Sequence, residues 1–185
     1  MALKCYSFLF WLPLYLTQSQ HFNATKAGYT SSVFEIAGFA GILIAGFASD
    51  KIFASRRFPV SVLMLLALAL VFMLQRTFTA SGYWGTFSLV ALSGLLLYGP
   101  DSIISGATAM DIGDKESAGF AAWFINGIGS AGQLCSPFIT AYVTEWFGWN
   151  MLFNVFLVFA LVSGLIMLLK WNFRPVASLS LTTNT

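Results

Sequence analysis

The sequence predicts an all-α membrane protein built from six transmembrane helices, and two observations lead to this fold class. First, 58% of the 185 residues are hydrophobic and only 9% are charged, whereas a soluble domain carries about 25% charged residues. Second, long charge-free segments recur along the chain, over residues 5–20, 36–49, 58–75, 77–100, 117–144 and 149–169. Because about 20 mostly apolar residues cross the hydrocarbon core as a helix, the lipid bilayer is the expected environment.

Charged and polar residues mark the ends of the predicted spans in chain order. The first span runs into the polar stretch TQSQHF, the second ends at Asp50, and the third lies between Arg57 and Arg76. The fourth ends before the charged stretch DIGDKE, the fifth before Glu145 and the sixth before Lys170. We place the spans at roughly 3–19, 28–49, 58–76, 83–110, 117–144 and 149–171, in one transmembrane domain over 1–173 with a polar tail over 174–185.

The positive charges predict the orientation. Six spans put both ends of this segment on one side of the membrane. If that side is cytoplasmic, the inner cations are Lys51, Arg56, Arg57, Lys115, Lys170 and Arg174, against Lys26 and Arg76 outside. This excess fits the positive-inside rule, in a plasma membrane or an internal one. The first apolar segment could instead be a cleaved signal peptide, but no small-residue cleavage site follows it.

The composition argues against several classes of function. The net charge is +2 and no cluster of Lys and Arg suggests nucleic acid as a partner. Cys5 and Cys135 are isolated in apolar segments, and His21 is the single histidine. Two separate thiols make neither a disulfide framework nor a metal site. We therefore predict no enzyme, no cofactor and no metal.

Polar side chains inside the predicted spans are the candidate functional residues, because ionisable groups in a membrane usually face a cavity or a partner. On the fourth span Gly94, Tyr98, Asp101, Ser105 and Thr108 share one helical face, beside Pro100, which removes a backbone hydrogen bond. On the fifth, Asn126, Ser130 and Gln133 share another. Lys4 and Glu35 complete the set. The two faces predict a common aqueous cavity; the alternative is hydrogen bonding from helix to helix without a ligand.

Small residues predict where helices approach closely. On the second span Ala37, Gly41, Ala45 and Ser49 recur every four residues. Such a stripe lets two backbones come together where no hydrophobic force drives helices to associate. Close packing, rather than a ligand site, is the expected role of most of these residues.

The connection after the second span, GFASDKIFASRR, resembles a motif of the major facilitator superfamily. It holds Gly46, Asp50, Lys51, Arg56 and Arg57. In that family a Gly-x-x-x-Asp-Lys/Arg loop follows the second helix of each six-helix half on the cytoplasmic side. The resemblance implies that the six spans form one half of a major facilitator fold, and that the loop forms an ion-pair latch between conformations. A solvated turn without a gating role is the alternative.

Further stretches narrow the resemblance to the organophosphate:phosphate antiporters. They are WLPLYLTQSQHF, FEIAGFAGILIAGFASDK, LLYGPDSIISG, DKESAGFAAWFINGIGSAG and YVTEWFGWNMLF. They occur in the order of helices seven to twelve of that twelve-helix family. The resemblance covers nearly the whole chain but only the family's C-terminal half, so the chain is expected to be a fragment that lacks the N-terminal six-helix half.

The resemblance also implies a substrate site. Family members hold a phosphate ester at the midplane with basic residues and tyrosines, and Tyr98 matches the tyrosine of the tenth helix. The expected basic residue of the seventh helix falls at or next to Cys5, so Lys4 lies about 100° around the helix from it. Asp101 stands where a neutral residue is expected. It could be protonated, pair with Lys4, or couple transport to protons.

These features predict a transporter that exchanges a phosphorylated sugar or glycerol-3-phosphate for inorganic phosphate by alternating access. The expected substrate-binding residues are Lys4, Tyr98, Asp101 and Asn126, with Glu35 and Gln133 in the cavity or in coupling. A proton-coupled carrier of another small organic substrate is one alternative. A transporter-like sensor of sugar phosphate is another.

Overall fold

A computed structural model describes residues 2–54, 56–77, 82–107, 115–169 and 171, and within these ranges the chain is helical throughout, apart from short connections. The long helices are α1 (Ala2–Gln18), α2 (Ala24–Phe47), α3 (Arg57–Thr77), α4 (Gly82–Ser102), α5 (Lys115–Phe147) and α6 (Trp149–Leu168). Short π-helical turns extend α2 and α4, over Ala48–Ile52 and Ile103–Ala107. The predicted polar tail over 174–185 lies outside the described residues.

Local sequence explains two of the helix boundaries. The side-chain oxygen of Asn23 accepts a hydrogen bond from the backbone N–H of Lys26 at 2.8 Å and caps the start of α2. Asparagine is favoured there because it satisfies one of the free N–H groups of the first turn. Gly148 separates α5 from α6 with a φ of 77°, a left-handed conformation that glycine adopts without steric cost.

The helices form a ring of neighbours in the order α1, α2, α4, α3, α6 and α5. Each helix in this order packs against the next, and α5 closes the ring on α1. The largest buried cluster draws on five of them. Its large members include Leu12, Leu16, Phe34, Leu65, Leu68, Phe72, Val90, Leu97, Phe153 and Phe156. A single apolar core therefore fixes the positions of these helices.

The contact between α2 and α4 is the closest in the bundle. A Cβ atom on Gly41 would overlap the backbone carbonyl of Leu95, and one on Gly94 would overlap that of Phe34. Each helix thus presents a glycine to the backbone of the other, which confirms the prediction of close packing for Gly41. Ala45 and Ser49 of the same stripe are fully buried, whereas Ala37 is only partly buried.

Pro100 does not interrupt α4. The α-helical conformation continues through Ser102, and the backbone changes to a π-helical turn only at Ile103. Proline removes a hydrogen bond from the turn that precedes it, while the buried positions of Leu97, Gly99 and Pro100 hold this stretch in place. The expected weakening of the helix is therefore not visible as a break in its path.

Four of the helical segments in the described part of the chain are long and apolar enough to cross a membrane. They are Ala24–Ile52, Arg57–Gln75, Gly82–Gly106 and Trp149–Leu168. α1 has 17 residues, about 25 Å of helix, and α5 is a helix of 33 residues. Large hydrophobic side chains such as Phe39, Leu70, Trp123 and Leu165 are exposed, as expected for surfaces covered by lipid or protein. The chain is a multi-pass membrane protein.

Candidate functional site

Tyr98 and Glu35 meet across the contact between α4 and α2. The hydroxyl of Tyr98 donates to the carboxylate of Glu35, with its oxygen 2.9 Å from Oε1 and 2.8 Å from Oε2. Hydrogen bonds from a hydroxyl to an ionised carboxylate are about twice as strong as neutral ones. The two residues lie 63 positions apart in the chain, and the structure joins them into one polar site.

Two further residues of α2 fix the ring of Tyr98. It packs edge-on against Phe34, with ring centroids 5.7 Å apart. It also lies over Gly38, where an added Cβ would be 2.6 Å from Cδ2 of Tyr98. Glu35 and Gly38 are three residues apart and so share a face of α2. That face therefore sets both the position of the ring and the direction of its hydroxyl.

The pair lies at the middle of α2. Glu35 is the twelfth of the 24 residues from Ala24 to Phe47, roughly 17 Å from either end of the helix. Its side chain is exposed on the surface of the chain. A carboxylate that faced lipid at this depth would cost about 2.5–3.5 kcal/mol on insertion scales. The surface around Glu35 is thus better suited to an aqueous cavity than to lipid.

Asp101 lies one helical turn beyond Tyr98 on α4 and is half-buried. Ser105 donates from its hydroxyl to the backbone carbonyl of Asp101 at 2.7 Å. Among the described residues no hydrogen bond or ion pair reaches the Asp101 carboxylate. Lys4, its suggested partner, lies in the first turns of α1, but its side chain is outside the described part of the structure. Thr108 also lies outside the described residues.

The polar face of α5 lines an open groove with α1. The groove has a volume of about 630 Å³ and is lined by Phe10, Gly127, Ser130, Ala131, Gln133 and Leu134. Gln133 is half-buried and Asn126 is exposed. Ser130 donates to the backbone carbonyl of Asn126 at 2.9 Å, so it is satisfied within its own helix. The described lining comes from α1 and α5, and it does not include Tyr98 or Asp101.

The residues of the Gly-x-x-x-Asp-Lys motif lie where α2 ends. Gly46 is in α2, while Asp50 and Lys51 belong to the π-helical turn and are exposed. Asp50 forms an ion pair with Arg57, whose Nη1 lies 3.5 Å from Oδ1 of Asp50. Arg56 lies between the two helices, and its backbone N–H donates to Phe53 at 3.0 Å. The motif is thus a helix end with one long, exposed ion pair.

Sequence reasoning missed Gly38 and Gln20. Gly38 was one glycine among many, although its place three residues after Glu35 in FEIAGFAG was a usable signal. Gln20 bridges two helices: its Nε2 donates to the hydroxyl of Tyr15 at 3.1 Å, and its Oε1 accepts from Thr86 at 3.4 Å. No local pattern distinguishes Gln20 from other polar loop residues. Its partner Thr86 lies 66 positions away.

The fold and the site define a class of protein. The chain belongs to the major facilitator superfamily, whose family model matches residues 1–183. The chain is 34% identical over 175 residues to the glucose-6-phosphate exchanger SLC37A1 of Homo sapiens, across 91% of this chain and 32% of that protein. It is 35% identical over 164 residues to a probable hexose phosphate transport protein of Chlamydia pneumoniae, across 88% and 36%.

A third relative is the putative glycerol-3-phosphate transporter 5 of Arabidopsis thaliana, 32% identical over 174 residues, across 88% of this chain and 35% of that protein. Within the superfamily the chain is thus a member of the organophosphate:phosphate antiporter family, which confirms the resemblance seen in its motifs. The chain spans about a third of the length of these relatives. Their names describe transporters and exchangers, in agreement with the expectation that this is not an enzyme.

Proposed function

We propose that this chain is the C-terminal half of a transporter that exchanges a phosphorylated sugar or glycerol-3-phosphate for inorganic phosphate. The observation that carries the proposal is the pairing of Tyr98 with Glu35 halfway along α2. A hydroxyl donor of the kind that binds phosphate oxygens, beside the middle of an apolar helix, supports a site that a two-sided carrier could reach from either face. The relatives named for hexose phosphate and glycerol-3-phosphate supply the substrate class.

Alternating access is the proposed mechanism. The reciprocal glycine contacts make α2 and α4 one unit, so the Tyr98 site moves as a body when this half rocks against an N-terminal half. Lys4 is proposed to supply positive charge from α1, and Asn126 a polar contact from α5. The exposed pair of Asp50 and Arg57 is long enough to break and re-form between conformations.

Exchange by the full-length protein in proteoliposomes tests this function. Vesicles loaded with inorganic phosphate should take up labelled phosphate, and external glucose 6-phosphate or glycerol-3-phosphate should compete with that uptake. Replacing Tyr98 with Phe should weaken substrate binding at least about tenfold, because a hydrogen bond to a charged group contributes about 1.5–3 kcal/mol. Binding of sugar phosphate without any exchange would contradict the proposal and favour a sensor.

A proton-coupled carrier is the second candidate, and Asp101 is the observation that favours it. A half-buried carboxylate one turn from Tyr98 would repel a phosphate bound there. The same group suits a carrier that takes up a proton with its substrate. Uptake driven by an imposed pH gradient, with no requirement for internal phosphate, would support this candidate over exchange.

A further inference from the structure

The hydroxyl of Tyr98, the proposed donor to substrate phosphate, already has an acceptor in the structure. Tyr98 has a single hydroxyl proton, and here that proton points to the two oxygens of Glu35, at 2.9 and 2.8 Å. A hydroxyl that donates to Glu35 does not at the same time donate to a substrate oxygen. We infer that Glu35 is an internal acceptor that competes with the substrate phosphate for the hydroxyl of Tyr98, an inference that rests on the proposed function.

The geometry makes this competition direct. Phe34 and Gly38, one turn apart on α2, both lie against the ring of Tyr98, which limits how far the ring can swing toward a ligand elsewhere. The hydroxyl therefore changes partner mainly by rotating its O–H bond. A phosphate oxygen that accepts from Tyr98 takes the place of the Glu35 oxygens as the acceptor of the single hydroxyl proton.

The competition sets the affinity of the site for phosphate. Each bound phosphate displaces a charge-assisted hydrogen bond to Glu35 that is already formed. Glu35 thus keeps the affinity low enough for the substrate to leave again, which a carrier needs in order to turn over. Glu35 acts on the substrate through Tyr98 and is a positioning residue of the site.

A double-mutant cycle on the dissociation constant of inorganic phosphate tests the inference. In the full-length purified protein, Glu35→Gln keeps the shape of the side chain but makes it a weaker, neutral acceptor. We expect this variant to bind phosphate about five- to tenfold more tightly, because the competing hydrogen bond from Tyr98 becomes weaker by roughly 1–1.4 kcal/mol. Tyr98→Phe should bind more weakly. With Phe at position 98, Glu35→Gln should change the dissociation constant less than twofold.

The outcomes separate the possible roles of Glu35. If Glu35→Gln tightens binding equally with Tyr or Phe at position 98, Glu35 repels phosphate directly and the inference is wrong. Weaker binding in Glu35→Gln also overturns it, because Glu35 would then support the site. Gly28→Ala, on the same helix with no atom within 4 Å of the added Cβ, is the control and should bind like the unmodified protein.

The inference and the proposed function fail in different ways. Absence of phosphate exchange by the unmodified protein would remove the proposed function, whereas the cycle of dissociation constants still decides the role of Glu35. Phosphate exchange with additive effects in the cycle would remove the inference alone. A protein that binds no phosphate contradicts both.

Discussion

At the scale of single residues, the site combines one donor with two carboxylates. Tyr98 donates to Glu35, and Asp101 follows one turn later on the same helix. The sequence showed that these groups interrupt apolar spans, because charge in an apolar segment is visible by inspection. It did not show which carboxylate Tyr98 meets. The partner of Tyr98 follows from the crossing of α2 and α4, which brings Glu35 to the hydroxyl.

Asp101→Asn is the test of the second carboxylate. The substitution removes a negative charge beside Tyr98 while keeping the side chain's shape. We expect phosphate affinity to rise at least about threefold, from the loss of like-charge repulsion, or the dependence of transport on pH to flatten. Transport measured in proteoliposomes across about pH 5 to 8 distinguishes these results. Asp101→Glu, which keeps the charge, is the matched control.

An unchanged affinity and an unchanged pH profile in Asp101→Asn would show that this carboxylate does not face the cavity. Asp101 would then serve in hydrogen bonding from helix to helix without a ligand, the alternative given for the polar face of the fourth span. The groove on α5 would also lose its proposed connection to the α4 site.

At the scale of the elements, a pair of helices carries the site. α2 and α4 share glycine-to-backbone contacts at Gly41 and Gly94, and a glycine-to-ring contact at Gly38. The four-residue spacing of small residues on the second span predicted the contact at Gly41, since spacing encodes a helix face, whereas Gly94 was assigned to the polar face of the fourth span. The spacing could not predict the contact at Gly38, because this contact depends on which side chain of α4 packs against Gly38. The same limit applies to Gln20 and Thr86, whose partnership depends on tertiary structure alone.

Substitution at Gly38 measures how strongly α2 positions Tyr98. Gly38→Ala places a Cβ within 2.6 Å of the Tyr98 ring, so the ring or the helix must shift. We expect a loss of roughly 1–3 kcal/mol of stability, the usual effect of overpacking, and a changed dissociation constant for phosphate. Gly28→Ala adds the same methyl group in open space and should leave both quantities close to their original values. Thermal unfolding in detergent measures the first quantity, and phosphate binding the second.

Equal stability and equal phosphate binding in Gly38→Ala and Gly28→Ala would contradict the positioning role of Gly38. A loss of stability with unchanged binding would show that α2 supports the bundle but does not orient the tyrosine.

At the scale of the whole molecule, composition and charge spacing predicted a helical membrane protein, and the helices and the family match agree with it. Apolar composition was informative because a soluble domain carries about 25% charged residues, whereas this chain carries 9%. The cavity role predicted for Asn126, Ser130 and Gln133 stays a prediction, although Ser130 and Gln133 line an open groove between α5 and α1. The described lining of this groove does not include Tyr98. A polar helix face can line a groove with α1 just as well as a cavity with α4, and the sequence does not distinguish the two.

The predicted orientation can be tested with single cysteines. Lys26 and Lys51 are both exposed, at opposite ends of α2 with its π-helical turn. In a variant without Cys5 and Cys135, Lys26→Cys should react with a membrane-impermeant maleimide in intact cells or sealed right-side-out vesicles. Lys51→Cys should react only after permeabilisation. The reverse pattern would overturn the assignment of both ends of this segment to the cytoplasmic side.

The reciprocal contacts of Gly41 and Gly94 also bear on how occupancy can be observed. Because α2 and α4 are in close backbone contact at both glycines, we expect the separation of Glu35 from Tyr98 to stay nearly constant while the surrounding protein changes shape. A vibrational label on the Glu35 carboxylate would therefore respond to what is bound and remain silent to which side of the membrane is open. The Glu35–Tyr98 pair would thus report the occupancy of the site separately from the movement of this half.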